Sequence, residues 1–140
     1  MISRQKLLVM IATEAIDIPH AFALYEDVPD SWIGVDLDGT LAEYHGYKDG
    51  EIGDPVEAML DRVLGWLEDG QDVRIMTARV ADDPDGSMKK SIEDWCLKHI
   101  GQVLPVTNEK DSGMIELWDD RAVQVVKNTG EPASDSDQLS

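Results

Sequence analysis

Asp36 and Asp38 are spaced by one residue, and Gly39 and Thr40 follow at once. The apolar residues Trp32, Ile33 and Val35 lead directly into the pair. Such a run reads as a buried strand ending in two carboxylates and a glycine turn. Positions i and i+2 of a strand share a face, so a strand running through both residues crowds two negative charges. Like charges repel there unless a cation lies between them. Three further points carry reactive types: Thr77, Lys110 and the pair Asp119-Asp120. Several carboxylates at one point suit a hard divalent cation such as Mg²⁺, which also takes water and phosphate oxygens. A free aspartate can attack phosphorus. A hydroxyl and an ammonium can hold the phosphoryl oxygens, where charge spreads in the transition state. The set describes phosphoryl transfer.

These groups meet only if the intervening elements bring them together. The sequence predicts a first strand over 32–36 and a polar, glycine-bearing loop or small hairpin over 41–53. Asp54-Pro55 reads as a helix start, with Asp54 as the N-cap and Pro55 at the first helical position. Val56, Met59, Leu60, Val63, Leu64 and Leu67 then repeat on one helical face, and Gly70 ends the helix. A second strand over 73–76 stops at Thr77. An acidic turn over 82–86 precedes a helix over 87–100, ended by Gly101. Residues 103–106, 115–118 and 123–126 read as further strands. Lys110 lies in the loop after the third, a helical turn is expected over 111–114, and Asp119-Asp120 ends the fourth. Alternating strands and helices imply an α/β fold, a parallel sheet with helices on both faces. In open sheets of this kind, ligands bind outside the carboxyl ends of the strands. There all the named groups would gather.

Taken in order, Asp36-Leu37-Asp38-Gly39-Thr40, Thr77, Lys110 and Asp119-Asp120 resemble the four motifs of the haloacid dehalogenase (HAD) superfamily. The resemblance spans residues 31–126. It implies a three-layer, Rossmann-like fold with a mainly parallel five-stranded sheet. It implies a Mg²⁺-dependent phosphomonoester hydrolase working through an aspartyl-phosphate. Asp36 resembles the nucleophile, and Asp38 the acid that protonates the leaving group and then the base that activates water. Thr77 and Lys110 would clamp the phosphoryl oxygens. Asp36, the backbone carbonyl of Asp38, and Asp119 would hold Mg²⁺, with Asp120 a further or supporting ligand. The second aspartate of the first motif favours phosphate chemistry over dehalogenation. Gly39, Thr40, His45, Lys48, Ala78 and Arg79 are candidate substrate contacts. His45 and Lys48 fall, with Tyr44 and Tyr47, where the family places a loop over the site. Arg79 either binds substrate or pairs with an acid such as Asp82.

The intervals from Thr40 to Thr77 and from Thr77 to Lys110 are each filled by one helix and one strand. An inserted cap domain needs roughly 50 residues or more, so none is expected. The 140 residues suit one domain. The expected organisation is an N-terminal helix and connector over 1–30, a catalytic domain over 31–128, and a disordered tail over 129–140. Residues 4–16 have helical apolar spacing, and such a helix could pack on its own domain or, through residues 1–30, on a second subunit of a homo-oligomer. Acidic residues number 29 against 12 Lys and Arg, a net charge of −17. That field repels nucleic-acid phosphates and anionic membranes, which favours a small phosphorylated metabolite or nucleotide. The alternatives kept open are a 3′-phosphatase on nucleic-acid ends, a phosphotransferase, and a non-catalytic metal-binding protein. Cys96 is the single cysteine, so no intrachain disulfide can form, and it reads as a core residue. The apolar run near the N-terminus is short and interrupted by Glu14 and Asp17, unlike a signal peptide. No run approaches the roughly 20 apolar residues of a membrane span, and a cytoplasmic location is expected. Trp32, Trp66, Trp95 and Trp118 read as core; His20 and His99 read as structural or surface residues.

Overall fold

The structure is a computed structural model that describes residues 31–46 and 50–133. What the sequence leads one to expect of residues 1–30, of Tyr47 and Lys48, and of residues 134–140 lies outside the described residues. The chain forms an α/β fold around a parallel sheet. Its strands are β1 (Trp32–Val35), β2 (Asp72–Met76), β3 (Val106–Thr107) and β4 (Met114–Trp118), in the order β3-β2-β1-β4. Every pairing is parallel. β1 sits inside the sheet and all four of its residues are buried, as expected where both faces are covered.

Helix α1 (Glu57–Glu68) joins β1 to β2, and α2 (Ser87–His99) joins β2 to β3. Ile33 and Val35 of β1 lie level with Val73 and Ile75 of β2. These four share one core with Met59 and Val63 of α1 and with Ile92, Trp95 and Cys96 of α2. Both described helices therefore cover the same face. On the opposite face, Trp32 lies under the Arg74 guanidinium at 4.5 Å, and its indole donates to Asp111 Oδ1 at 2.8 Å. The second helical layer expected from the sequence has no counterpart among the described residues. The connection from β3 to β4, residues 108–113, is a short non-helical crossover instead.

Local chemistry sets the ends. Gly70, at φ +81°, closes α1 with two backbone bonds, Gly70 N–H to Leu67 O and Gln71 N–H to Trp66 O. This is the pattern of a left-handed residue following a helix. At the start of α2, Asp83 accepts from the N–H groups of Met88 and Lys89, so the acidic turn caps the helix. Helix α1 starts later than Asp54-Pro55 suggests. Val56 N–H donates to Leu41 O, and Glu43 N–H donates to Asp54 O. That pairing holds residues 54–56 extended against 41–43, and Val56 becomes the cap position.

Two other expectations change. β3 is shorter and later than 103–106; Pro105 has no N–H for the ladder, although its carbonyl still accepts from Ile75. Residues 123–126 form no ladder strand, so the sheet has four strands among the described residues. Val125 makes one antiparallel bridge, to Pro132. Val126 N–H donates to Glu131 O and Ala133 N–H to Gln124 O. The chain thus folds back through a tight turn, and residues 129–133 are not a structureless tail. Cys96, Trp32 and Trp95 are buried and Trp66 and Trp118 partly buried, all packed as the sequence suggests. His99 packs its ring against Trp95 at 4.8 Å.

Candidate functional site

β1 and β4 lie side by side with Val35 level with Trp118. Asp36 N–H donates to Trp118 O at 2.9 Å. The residues that follow each strand, Asp36 and Asp119, are therefore neighbours at the carboxyl edge of the sheet. Asp120 joins them: one carboxylate oxygen from each of Asp36, Asp119 and Asp120 lies within 4.8 Å of the others. Burial comes first among the causes that push the Asp36 carboxyl up to about 7. The charges of Asp119 and Asp120 and a hydrogen bond with Asp120 push it the same way. A proton or a cation must relieve this crowding. Three carboxylates meeting at one point fit the oxygen donors that Mg²⁺ prefers.

The turn after β1 fixes Asp120. Thr40 Oγ1 donates to Asp120 Oδ1 at 3.2 Å and accepts from the Asp120 N–H at 3.0 Å. Gly39 has φ +86°, and a Cβ there would sit 2.6 Å from Asp120 Oδ2. Glycine is required both for the conformation and for the approach of this carboxylate. Thr40 and Gly39, named from the sequence as substrate contacts, here shape the acidic cluster. Asp119 is steadied by its own turn, accepting from Arg121 N–H at 2.7 Å.

Asp38 stands outside that cluster. Both of its oxygens accept from Arg79, at 2.6 and 2.8 Å. The acid paired with Arg79 is Asp38, not Asp82. Thr77 is buried at the end of β2 and accepts from Arg79 N–H at 3.2 Å, capping the 3₁₀ turn Ala78–Asp82. Ala78 opens that turn. Lys110 is exposed in the crossover after β3 and forms no ion pair among the described residues. Its neighbour Asp111 is bound to Trp32 and Arg74 on the second face. His45 is 83% exposed and reaches Glu43 at 3.9 Å.

Two features escape a reading of the sequence. The carbonyls of Gly50 and Glu51 accept from Arg79, and backbone acceptors in a loop leave no side-chain signal. Beside the carboxylates lies an open depression of about 300 Å³, lined by Thr40, Val56, Met59, Arg62, Trp118 and Asp120 among others. Arg62 reaches it by lying over the Trp118 ring at 5.1 Å. The helical spacing from Met59 to Arg62 could have signalled that placement.

No protein-family model matches the chain, and no curated protein does. Among solved structures, the chain is similar to a conserved protein of Bacteroides thetaiotaomicron. The TM-score is 0.50 and the identity 18%, over 68% of this chain and 79% of that one. This likeness concerns the α/β fold.

Proposed function

We propose that the chain is a Mg²⁺-dependent phosphomonoester hydrolase working through an aspartyl-phosphate on Asp36. The observation that carries this reading is the convergence of Asp36, Asp119 and Asp120 at the carboxyl edge of a parallel sheet. The ordered motifs that resemble the HAD superfamily support it. Asp36, Asp119, Asp120 and the backbone carbonyl of Asp38 would hold Mg²⁺. When bound, the ion would neutralise the clustered carboxylates and the phosphate charge, as Mg²⁺ does in phosphoryl transfer.

The residues divide the work. An Asp36 oxygen forms a bond to phosphorus while the bond from phosphorus to the leaving oxygen breaks. Asp38, entering the step protonated on a lone pair that the Arg79 fork leaves unused, would give that oxygen the proton and be left ionised. In the second half, Asp38 takes a proton from water as the water oxygen attacks phosphorus, and the Asp36–phosphorus bond breaks. Thr77 is fixed at the end of β2, with its hydroxyl hydrogen unused by the bond from Arg79. Lys110 supplies an ammonium on a flexible stem. Both would hold equatorial oxygens of the phosphoryl group. We read the site as having no cap domain. The charge of −17 favours a small phosphorylated metabolite or nucleotide over a polynucleotide.

The test is a panel of sugar phosphates, nucleotides and an aryl phosphate, assayed for phosphate release with Mg²⁺ and with EDTA. Release from at least one ester, abolished by EDTA and restored by Mg²⁺, is expected. No release from any ester at micromolar protein would reject the proposal. Adding an alcohol acceptor and analysing products separates transfer to water from transfer to the alcohol.

A further inference from the structure

Arg79 offers five N–H donors in a rigid planar fork, and the structure engages them all. Nε donates to Asp38 Oδ2 at 2.6 Å, and Nη2 to Asp38 Oδ1 at 2.8 Å. Nη2 also donates to Glu51 O at 2.9 Å. Nη1 donates to Gly50 O at 2.9 Å and to Met88 Sδ at 3.6 Å. The side chain is 5% exposed, and that of Asp38 22%. No donor remains for a phosphate, so this arginine is not a substrate clamp in the arrangement observed. It ties together the turn after β1, the loop carbonyls at 50 and 51, and the first turn of α2.

We propose that Arg79 is a positioning residue that sets the Asp38 carboxylate and residues 50–51 in one arrangement. The bidentate fork fixes the plane of the carboxylate. The two carbonyl contacts fix the loop against the same guanidinium. A shift of either segment moves the other. The kinetic consequence rests on the phosphomonoesterase reading, in which Asp38 hands a proton to the leaving oxygen. A nitrophenolate departs without that proton, whereas an alkoxide needs it. Misplacing Asp38 therefore slows alkyl esters more than aryl esters.

The test uses the full chain with Arg79→Gln and with Arg79→Lys, which keeps the charge and loses the fork. kcat and KM are measured on an aryl and an alkyl phosphate, with inorganic phosphate as a competitive inhibitor. Hydrogen exchange is followed at residues 50–54 and in α2. For Arg79→Gln, kcat on the alkyl ester should fall about 10²-fold, the size of effect that a misplaced group produces. The aryl ester should lose less. KM and phosphate inhibition should stay within about threefold, because ground-state binding is not what is lost. Arg79→Lys should not restore the alkyl rate, and exchange at 50–54 should quicken in both variants while α2 holds. Should Arg79→Gln not fold, Arg79→Lys decides alone. Weakened phosphate inhibition with kcat unchanged would overturn the proposal, as would unaltered exchange at 50–54. If the wild type hydrolyses neither ester, the phosphomonoesterase reading falls. The exchange measurement then still decides whether Arg79 couples the two segments.

Discussion

Asp36 is the residue on which stability and chemistry pull apart. Its carboxyl is pushed up to about 7 from an ordinary 3.8, by burial first and then by Asp119 and Asp120. Between those values the folded chain holds a proton that the unfolded chain has released. Stability of the metal-free protein therefore falls as pH rises through this window, and the loss is complete above it. Asp36→Asn removes the cause. Thermal unfolding in EDTA at pH 8 should show the variant melting several degrees above wild type, with the gain vanishing as pH drops towards 4. Mg²⁺ should raise the wild-type melting temperature at pH 8 and leave that of Asp36→Asn nearly unmoved. A variant less stable than wild type at pH 8 would contradict this. Gly39 is the second sensitive residue. Gly39→Ala forces a side chain into φ +86° and against Asp120 Oδ2. It should cost roughly 1–3 kcal/mol in urea unfolding and weaken Mg²⁺ binding by calorimetry. Wild-type Mg²⁺ affinity in that variant would show that Asp120 does not depend on the turn.

At the scale of elements, the site exists because β4 lies beside β1, which places Asp119 next to Asp36. Trp118 locks that edge to α1 through Trp66, at 5.2 Å between ring centroids, and Arg62. Trp118→Ala should cost about 3 kcal/mol in denaturant unfolding; a loss below about 1 kcal/mol would mean that this packing is dispensable. The elements legible in the sequence are those with a strong local signal. β1 is a short apolar run before charged residues, β2 stops at Thr77, and α2 lies between an acidic turn and Gly101. Less legible were elements decided by partners distant in sequence. Residues 54–56 look like a helix start until residues 41–43 hold them extended. Residues 123–126 have strand composition, yet only a bridge to Pro132 fixes them. The site divides in the same way. The carboxylates of Asp36, Asp119 and Asp120 could be picked out because strand ends converge. The partner of Arg79 could not, because that pairing spans 41 residues of chain and depends on how the turn after β1 points Asp38.

For the whole molecule, the net charge of −17 and the clustered carboxylates act together. Each disfavours a free anion at the carboxyl edge, and both are relieved by a divalent cation. The same field opposes the long-range approach of polynucleotides, in keeping with the small phosphate ester proposed as substrate. Among the described residues no helix is long and apolar enough to cross a membrane. The proposed activity requires Asp36 to serve as a nucleophile that works with Mg²⁺. The most direct measurement compares wild type with Asp36→Asn in the hydrolysis of an aryl phosphate, with Mg²⁺ and with EDTA. Turnover by the wild type with Mg²⁺ alone, and its loss by at least about 10³-fold in Asp36→Asn, is the predicted result. An Asp36→Asn protein that turns over at the wild-type rate would contradict it.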